Sequence, residues 1–340
     1  MYQRMFKAAA AAALVAGLAA GPAAARELIR VATAKAAGAA TIFMAKERGY
    51  FADEGIDVQW TFFDNQQSLA ASVISGSEDI AASGIPAGFF NIATKNHLKL
   101  IAGSGAEKPG FRSATFVATP DAYAAGETAP KDMLTKKIAL STLGSAHQYA
   151  LILLAQKYGI DPKALHLIPM QGNGNIVAAL TNHAVDAAIM SSVPAATAEA
   201  NGYGKIIGYA GDETPYNGIS FYTRDDEIQN HRAAVVGFLR AMIRAGKDYD
   251  AAFQQIGADG KPVRGKGADD ILALVSKYTD QPVNVVSAAM TYIEPECSLP
   301  EAQVAQQISN WQALGMVDPS VKAADVMDLG PLNDALAPKS

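Results

Sequence analysis

The chain has 340 residues, of which 50% are hydrophobic and 18% are charged. This composition is typical of a globular protein with a large core, and the length suggests two domains. The formal net charge of −5 argues against nucleic acid and anionic membranes as partners. The single cysteine, Cys297, excludes an internal disulfide bond and any metal cluster held by cysteines.

The N-terminus has the pattern of a secretory signal peptide. Arg4 and Lys7 precede an apolar stretch over 8–20, and residues 23–25 have the A-x-A form of a cleavage site. The apolar stretch is too short to span a membrane comfortably. We therefore expect cleavage before Arg26 and an exported mature chain.

Strands and helices alternate after the predicted cleavage site. Apolar runs and glycine turns predict the following elements, in chain order: strand Leu28–Ala34, helix Thr41–Arg48, strand Ile56–Phe63, helix Gln66–Ser75, strand Asp79–Ala82, helix Ile85–Thr94 and strand Leu98–Gly103. The first strand is mostly apolar, as a central parallel strand should be. The alternation predicts parallel strands joined by crossover helices.

The chain then repeats this pattern. Ile29–Gly55 resembles Lys137–Gly159, since each is a strand, a small-residue loop, a helix and a glycine. Ser68–Pro86 resembles Asn175–Pro194, since each is a helical stretch, a polar turn, an Asp, a short apolar run and a Pro. Two similar α/β units in one chain indicate two lobes, and a cleft between lobes is a preferred place for a small ligand.

Single residues show the same repeat. Val31 to Ile138 and Asp79 to Asp186 are both separated by an offset of 107 residues. Each Asp directly precedes a predicted strand. We expect a turn or capping role for both side chains.

The chain is predicted to cross between the lobes twice. The first crossing is expected near Phe111–Arg112, before a predicted strand over 114–119, and the return near Phe221–Arg224. Lobe 1 would then comprise 26–112 and 222–340, and lobe 2 would comprise 113–221. The rest of the chain has helical periodicity, which predicts helices over Glu227–Phe253, Asp269–Tyr278, Pro282–Tyr292 and Glu301–Leu314.

Four motifs resemble a known family of solute-binding proteins. The segment Met44–Trp60 contains the pattern A-K-x-x-G-x-F-x-x-E-G-I-D-V, and it is followed in family order by Ser75–Gly84, Lys136–Asp161 and Val185–Ala195. These motifs are similar to those of the periplasmic substrate-binding proteins of ABC importers. The similarity is to the branch that serves nitrate, sulfonates, taurine and thiamine-precursor pyrimidines.

This resemblance implies a fold and a mechanism. The fold is the two-lobed α/β periplasmic-binding-protein (Venus flytrap) type, in which each lobe is a mainly parallel sheet flanked by helices. Two hinge crossings let the lobes close over one small molecule. The closed form then docks on an ABC permease in the inner membrane. We expect a periplasmic monomer that is not an enzyme and that needs no cofactor or metal.

The candidate site follows from strand geometry. In parallel α/β lobes a ligand lies beyond the carboxyl ends of the strands. Small polar residues at those ends precede helices, whose free N–H groups and dipoles favour an anion or a carbonyl. The candidate ligand-binding residues are Lys35, Ala39, Thr41, Ser83, Gly84, Arg112, Ser141, Leu143, Gly144, Ser145, His147, Asn173, Ser191, Ser192 and Tyr216.

Several of these residues have a second interpretation. Arg112 could clamp a carboxylate or sulfonate with two hydrogen bonds, or it could be a surface residue near a hinge. His147 could donate to a ligand, and Lys35 could point into the cleft. Ser145 could bind the ligand or simply cap a helix. Tyr216 could stack on an aromatic ligand or pack in the core.

The sequence favours a small organic anion, a sulfonate or carboxylate, as the ligand. A neutral pyrimidine-like heterocycle is the alternative, since Ser and Asn groups could serve it. Many relatives have an aromatic residue before Pro194, where this chain has Ser191 and Ser192. That departure predicts a wider or more polar pocket.

Two other functions remain open. The chain could present its solute to a membrane receptor or kinase, because sensing and import use the same closure. It could also be an exported hydrolase or transferase. The sequence has no G-x-S-x-G, H-E-x-x-H or Walker motif, and its five histidines have no metal-ligand spacing. The enzymatic function is therefore the weakest of the three.

Overall fold

A computed structural model describes residues 26–63, 66–258 and 262–339. The predicted signal peptide, 1–25, lies outside the described residues. Among the described residues no helix combines the length and the hydrophobicity that a membrane crossing requires.

In the described residues the strands are, in chain order, β1 (Glu27–Thr33), β2 (Ile56–Phe62), β3 (Ile80–Gly84), β4 (Leu98–Glu107), β5 (Ala114–Ala118), β6 (Lys137–Leu140), β7 (His166–Pro169), β8 (Ala187–Ser191), β9 (Lys205–Tyr209), β10 (Tyr216–Arg224), β11 (Gln255–Ile256), β12 (Pro262–Val263) and β13 (Tyr292–Ile293). The helices are α1 (Ala40–Glu47), α2 (Tyr50–Asp53), α3 (Gln66–Ile74), α4 (Ala87–Lys95), α5 (Pro120–Ala124), α6 (Ala146–Lys157), α7 (Asn173–Thr181), α8 (Ser192–Ala200), α9 (Ala210–Glu213), α10 (Asp225–Asn230), α11 (Arg232–Phe253), α12 (Ala268–Thr279), α13 (Val283–Ala288), α14 (Glu301–Ala313), α15 (Ala323–Val326) and α16 (Gly330–Leu336). Short 3-10 helices cover Ala37–Ala39, Pro130–Thr135 and Pro162–Ala164.

The strands form two main sheets. The first has the order β13-β4-β10-β3-β1-β2, and the second has the order β7-β6-β8-β5-β9. In the first sheet β1 is parallel to β2 and β3, while β10 is antiparallel to β3 and β4. In the second sheet β6 is parallel to β7 and β8, while β5 is antiparallel to β8 and β9. Helices pack against both sheets, so the predicted two-sheet α/β fold is confirmed.

The predicted repeat is visible as one backbone arrangement that occurs twice. The Asp79 carboxylate accepts a hydrogen bond from the Arg30 N–H at 2.8 Å, and the Asp186 carboxylate accepts one from the Lys137 N–H at 2.9 Å. The Asp79 N–H donates back to the Arg30 carbonyl at 2.8 Å, and the Asp186 N–H donates back to the Lys137 carbonyl at 3.0 Å. Each Asp thus joins the start of its own strand, β3 or β8, to the parallel strand beside it. The role is structural, but it links two strands rather than forming the predicted turn or cap.

The chain passes between the sheets at two places. It leaves the first sheet after Glu107 and enters the second at Ala114, and the first predicted crossing lies within this segment. It returns between Tyr209, the end of β9, and Tyr216, the start of β10. The return was predicted too late in the chain, near Phe221–Arg224. Those residues belong to β10, which pairs with β3 and β4 in the middle of the first sheet.

The C-terminal helix α14 packs against both units. Its Gln307 side chain donates to the Ile85 carbonyl at 3.0 Å, on the side of the first sheet. Its buried Trp311 lies 5.7 Å, between ring centroids, from Tyr149 of α6 on the side of the second sheet. The C-terminal helices therefore join the two units as well as covering the first one. The predicted helix Pro282–Tyr292 is shorter than expected, because its last residue starts β13 and pairs with β4.

Candidate functional site

A cavity of about 550 Å³ lies where the two sheets face each other. The first sheet lines it with Thr33 at the end of β1, Ser83 in β3 and Glu107 at the end of β4. The second sheet lines it with Ser141, which follows β6, and Ser191, which ends β8. All these positions are carboxyl ends of strands, where α/β proteins hold their ligands.

Most of the predicted site residues lie on the wall of this cavity. They are Ala39, Ser83, Gly84, Ser141, Leu143, Ser145, His147, Asn173, Ser191 and Tyr216. Five predicted residues are not among those that line it: Lys35, Thr41, Arg112, Gly144 and Ser192.

The two predicted cations are engaged elsewhere. The Lys35 ammonium lies 2.5 Å from the Asp280 carboxylate in an exposed ion pair. The exposed Arg112 guanidinium lies 5.3 Å from the centroid of the Tyr209 ring. Neither side chain contributes charge to the cavity wall. Sequence reasoning used the positions of both residues along the chain, but it could not give the direction of either side chain.

The other three predicted residues that do not line the cavity are Thr41, Ser192 and Gly144. Thr41 is buried in α1, with 3% of its surface exposed. Ser192 is the first residue of α8. Gly144 has a φ of +78°, in the left-handed region, and its carbonyl accepts a hydrogen bond from the Ala87 N–H at 2.8 Å. Gly144 thus connects the loop after β6 to the start of α4, which belongs to the other unit.

Ser145 and Tyr216 combine a structural role with a place on the wall. The Ser145 hydroxyl caps α6 by accepting a long hydrogen bond, 3.4 Å, from the Gln148 N–H. The Tyr216 hydroxyl donates to the Ala146 carbonyl at 3.1 Å, and the Tyr216 ring packs edge-on against Tyr149. Its ring is therefore a packed part of the wall.

His147 is an uncharged member of the wall. It lies in the first turn of α6. Burial lowers the pKa of His147 to about 4, so the imidazole is neutral at pH 7. A neutral imidazole can donate or accept one hydrogen bond to a ligand but adds no positive charge.

Sequence reasoning missed a carboxyl group on the wall, that of Glu107. Glu107 is 7% exposed, and its Oε1 atom accepts a hydrogen bond from the Ala114 N–H at 3.2 Å. Burial raises the pKa of Glu107 to about 7. The strand β4 runs four residues beyond the predicted end at Gly103. A glutamate closing a run of small and apolar residues was the available signal.

Two amide side chains complete the polar surface. The Asn173 Oδ1 atom, at the start of α7, is buried and has no hydrogen-bond partner among the described residues. Gln66 reaches over Gly84 so closely that a Cβ atom built on Gly84 would lie 2.5 Å from the Gln66 Nε2 atom. A side chain at position 84 would therefore displace the Gln66 amide from the cavity wall.

The described wall combines apolar and polar groups and is almost without charge. Among the described residues that line it, Glu107 is the only acidic one and none is Lys or Arg. Within the same described ranges, no group of three or more His, Cys, Asp or Glu side chains is placed to hold a metal ion. The wall therefore suits an organic molecule held by neutral hydrogen-bonding groups and one carboxyl group.

This architecture, two sheets with a ligand-sized cavity between their strand ends, is a two-lobed α/β fold. The family model described as "NMT1/THI5 like" matches residues 37–253, and the chain belongs to this family. A search of curated proteins gave no match.

Several solved structures of similar fold are ligand-binding proteins. A ligand-binding component of an ABC-type import system from Staphylococcus aureus, with zinc bound, matches with a TM-score of 0.68 at 13% identity over 91% of this chain and 99% of that one. The aliphatic sulphonate binding protein SsuA from Escherichia coli matches with a TM-score of 0.68 at 15% identity over 89% and 92%. The nitrate-binding protein NrtA from Synechocystis PCC 6803 matches with a TM-score of 0.67 at 14% identity over 91% and 88%. At these identities the likeness shows the fold.

Proposed function

We propose that this protein is a periplasmic solute-binding protein that captures a small organic molecule between two lobes and delivers it to an ABC import permease. The observation that carries the proposal is the cavity between the facing strand ends of the two sheets. Membership of the NMT1/THI5-like family and the likeness to import proteins support it. The N-terminal pattern of the sequence supports export.

In this proposal each lobe is built on one of the two sheets. Lobe 1 contains the first sheet and the C-terminal helices, and lobe 2 contains the second sheet, within the predicted range 113–221 but without the first residues of β10. The hinges are the segments between Glu107 and Ala114 and between Tyr209 and Tyr216. A monomer suffices, because the cavity is lined from within one chain.

Binding without turnover is the proposed activity. The single cysteine, Cys297, is 2% exposed and is not one of the residues that line the cavity. Burial raises the pKa of its thiol to about 12, so it is not a ready nucleophile. The enzymatic function is thus not favoured by this residue.

The geometry of the cavity favours a different class of ligand from the one that the sequence favoured. The organic anion was favoured because helix N-termini converge on the cleft and because Lys35, Arg112 and His147 could face it. Neither Lys35 nor Arg112 lines the cavity, and His147 is neutral, so only the helix N-termini still favour an anion. The described wall offers Ser and Asn groups, a neutral imidazole and one carboxyl group. These groups support the alternative, an uncharged or heterocyclic solute, better than the anion.

A thermal-shift screen of residues 26–340 tests the proposal. The protein is first unfolded and refolded to remove any bound solute, and the panel holds heterocycles, amines, carboxylates, sulfonates and nitrate. A ligand that binds only the folded state adds about 2.7 kcal/mol at a hundredfold excess over Kd. We expect a clear rise in Tm with one chemical class.

A matched pair of variants shows whether that ligand occupies the cavity. Ser191→Trp adds an indole to the wall, and Ser192→Trp adds one to the next residue, which is not on the wall. We expect Ser191→Trp to abolish the rise in Tm and Ser192→Trp to keep it. No rise with any class, or equal loss in both variants, would contradict the proposed site.

A further inference from the structure

One oxygen of the Glu107 carboxyl group has no hydrogen-bond partner among the described residues. The Oε1 atom accepts a hydrogen bond from the Ala114 N–H at 3.2 Å, and the nearby Ser113 side chain partly opposes the rise in the pKa of the carboxyl group. The Oε2 atom is buried and is the oxygen without a partner. A buried acceptor left without a donor is costly. The cost is removed when a ligand in the cavity supplies the donor.

The basic side chains nearest in the sequence do not compensate this carboxyl group. The Lys108 ammonium lies 3.9 Å from the Glu294 carboxylate, and the Arg112 guanidinium lies over the Tyr209 ring. No ion pair joins Glu107 to another residue in the described part of the chain. A positively charged group of a ligand would therefore meet a carboxyl group that no cation compensates and would favour its ionised form, whereas a negatively charged group would oppose that ionisation.

The other side of the cavity presents a second free acceptor. The Asn173 Oδ1 atom, on α7 of the second unit, is also buried and has no partner among the described residues. Both side chains line the same cavity of about 550 Å³. Two unsatisfied acceptor oxygens, one from each unit, are complementary to a solute with donors on both ends.

We propose that Glu107 selects the solute by accepting a hydrogen bond from an N–H donor, so that the ligand is an amine, an amidine or an amino-substituted heterocycle and an anion of the same size is rejected. The Asn173 amide accepts a second donor from the opposite lobe. This inference rests on the proposed binding function and names its substrate class.

The test measures affinity by titration calorimetry for ligands of matched size and opposite charge. The probes are benzamidine and 4-aminopyrimidine as N–H donors, and benzoate and benzenesulfonate as anions. The proteins are the wild type, Glu107→Gln, Glu107→Ala and a control, Glu127→Gln. Glu127 is 6% exposed and has an unpartnered Oε2 atom, like Glu107, but it pairs with Lys136 and is not on the cavity wall.

We expect the wild type to bind at least one N–H donor ten times more tightly than either anion. Glu107→Ala and Glu107→Gln should each weaken that ligand at least tenfold, and Glu127→Gln should leave it within twofold. If an anion binds most tightly and Glu107→Gln tightens it further, the binding function stands and the selection by Glu107 is overturned. If none of the four probes binds any of the folded proteins and the wider solute panel is also silent, the binding function fails together with this inference.

Discussion

The two α/β units share one hydrogen-bond arrangement, in which an Asp carboxylate accepts a backbone N–H of the neighbouring strand, but they differ in the side-chain bonds around it. In the first unit Asp79 accepts the Arg30 N–H and also binds the Arg30 guanidinium, at 2.6 Å from Nη2 and 3.0 Å from Nε. In the second unit Asp186 accepts the Lys137 N–H, and no ion pair to Lys137 is present among the described residues. Asp79 is also more deeply buried than Asp186. The repeat therefore preserves the strand register, while the side-chain bonds around it have diverged.

The two units also contribute unequally to the cavity. The first unit supplies the carboxyl group of Glu107, and the second supplies the hydroxyl groups of Ser141 and Ser191 together with the neutral His147. The backbone geometry that opens a site at the strand ends is common to both. The chemistry of the site depends on a few side chains that the repeat does not share.

The largest expected effect separates the two aspartates. Asp79→Ala removes a backbone hydrogen bond and a charge-assisted, bidentate partner, so we expect a loss of about 3 kcal/mol in the free energy of unfolding. Asp186→Ala removes one backbone hydrogen bond at a less buried site and should cost about 1 kcal/mol. Urea unfolding of both variants measures the difference. Equal losses in the two variants would contradict the conclusion that Asp79 is held by stronger bonds than Asp186.

Arg30→Ala measures how much the guanidinium alone contributes to the difference between Asp79 and Asp186. It removes only the guanidinium, whose side chain is 44% exposed, and keeps the backbone hydrogen bond. Because exposed ion pairs contribute little, the loss should be below about 1 kcal/mol. In the Arg30→Ala background the additional cost of Asp79→Ala should therefore fall by less than about 1 kcal/mol and stay above that of Asp186→Ala, because Asp79 is the more buried of the two.

The next effect is a pH dependence of opposite sign in the two units. Burial raises the pKa of Glu107 from 4.5 to about 7, so the folded state binds more protons than the unfolded state between these values. The free energy of unfolding therefore falls as pH rises through this window, by up to about 3 kcal/mol. Glu107→Gln should remove that fall and be more stable than the wild type at pH 8.

His147 should act in the opposite direction. Burial lowers the pKa of His147 from 6.5 to about 4, so the unfolded state binds the extra proton in this range. Stability is present above about pH 6.5 and is lost as pH falls toward 4. His147→Asn should reduce that acid loss. The measurement is the difference in unfolding free energy between each variant and the wild type from pH 4 to 8. Two differences with the same sign would refute the assignment.

These residues show how much of the fold and of the candidate site could be predicted from the sequence. The two sheets and most of the cavity wall were predictable, because strand alternation and the repeat fix which strand ends face each other. The ends of strands were less certain, since β4 continues through the small residues Gly103 and Gly105 to Glu107, and periodicity gives no end point there. The directions of Lys35 and Arg112 depend on tertiary partners distant in sequence, Asp280 and Tyr209.

A smaller effect concerns the contact between the units at Gly144. Gly144→Ala places a Cβ atom in a left-handed conformation, which costs about 1 kcal/mol. That Cβ would also lie 3.4 Å from both Ala87 Cβ and Met316 Cε of the other unit. Gly159→Ala is the control, because Gly159 has a similar φ of +71° and a Cβ there meets nothing within 4 Å. We expect Gly144→Ala to be the more destabilising and to weaken ligand binding by a few fold, with Gly159→Ala leaving affinity unchanged.

The smallest expected effect falls on the two cations that the sequence assigned to the ligand. Arg112→Ala removes an exposed cation–π contact, and Lys35→Ala removes an exposed ion pair, so each should lower stability by less than about 1 kcal/mol. Neither side chain lines the cavity, so the affinity for the identified solute should stay within twofold of the wild type. Titration of both variants with that solute measures this directly. A tenfold loss in Arg112→Ala would mean that the guanidinium leaves the Tyr209 ring to clamp a carboxylate or sulfonate, and the organic anion would then be favoured again over the N–H donor.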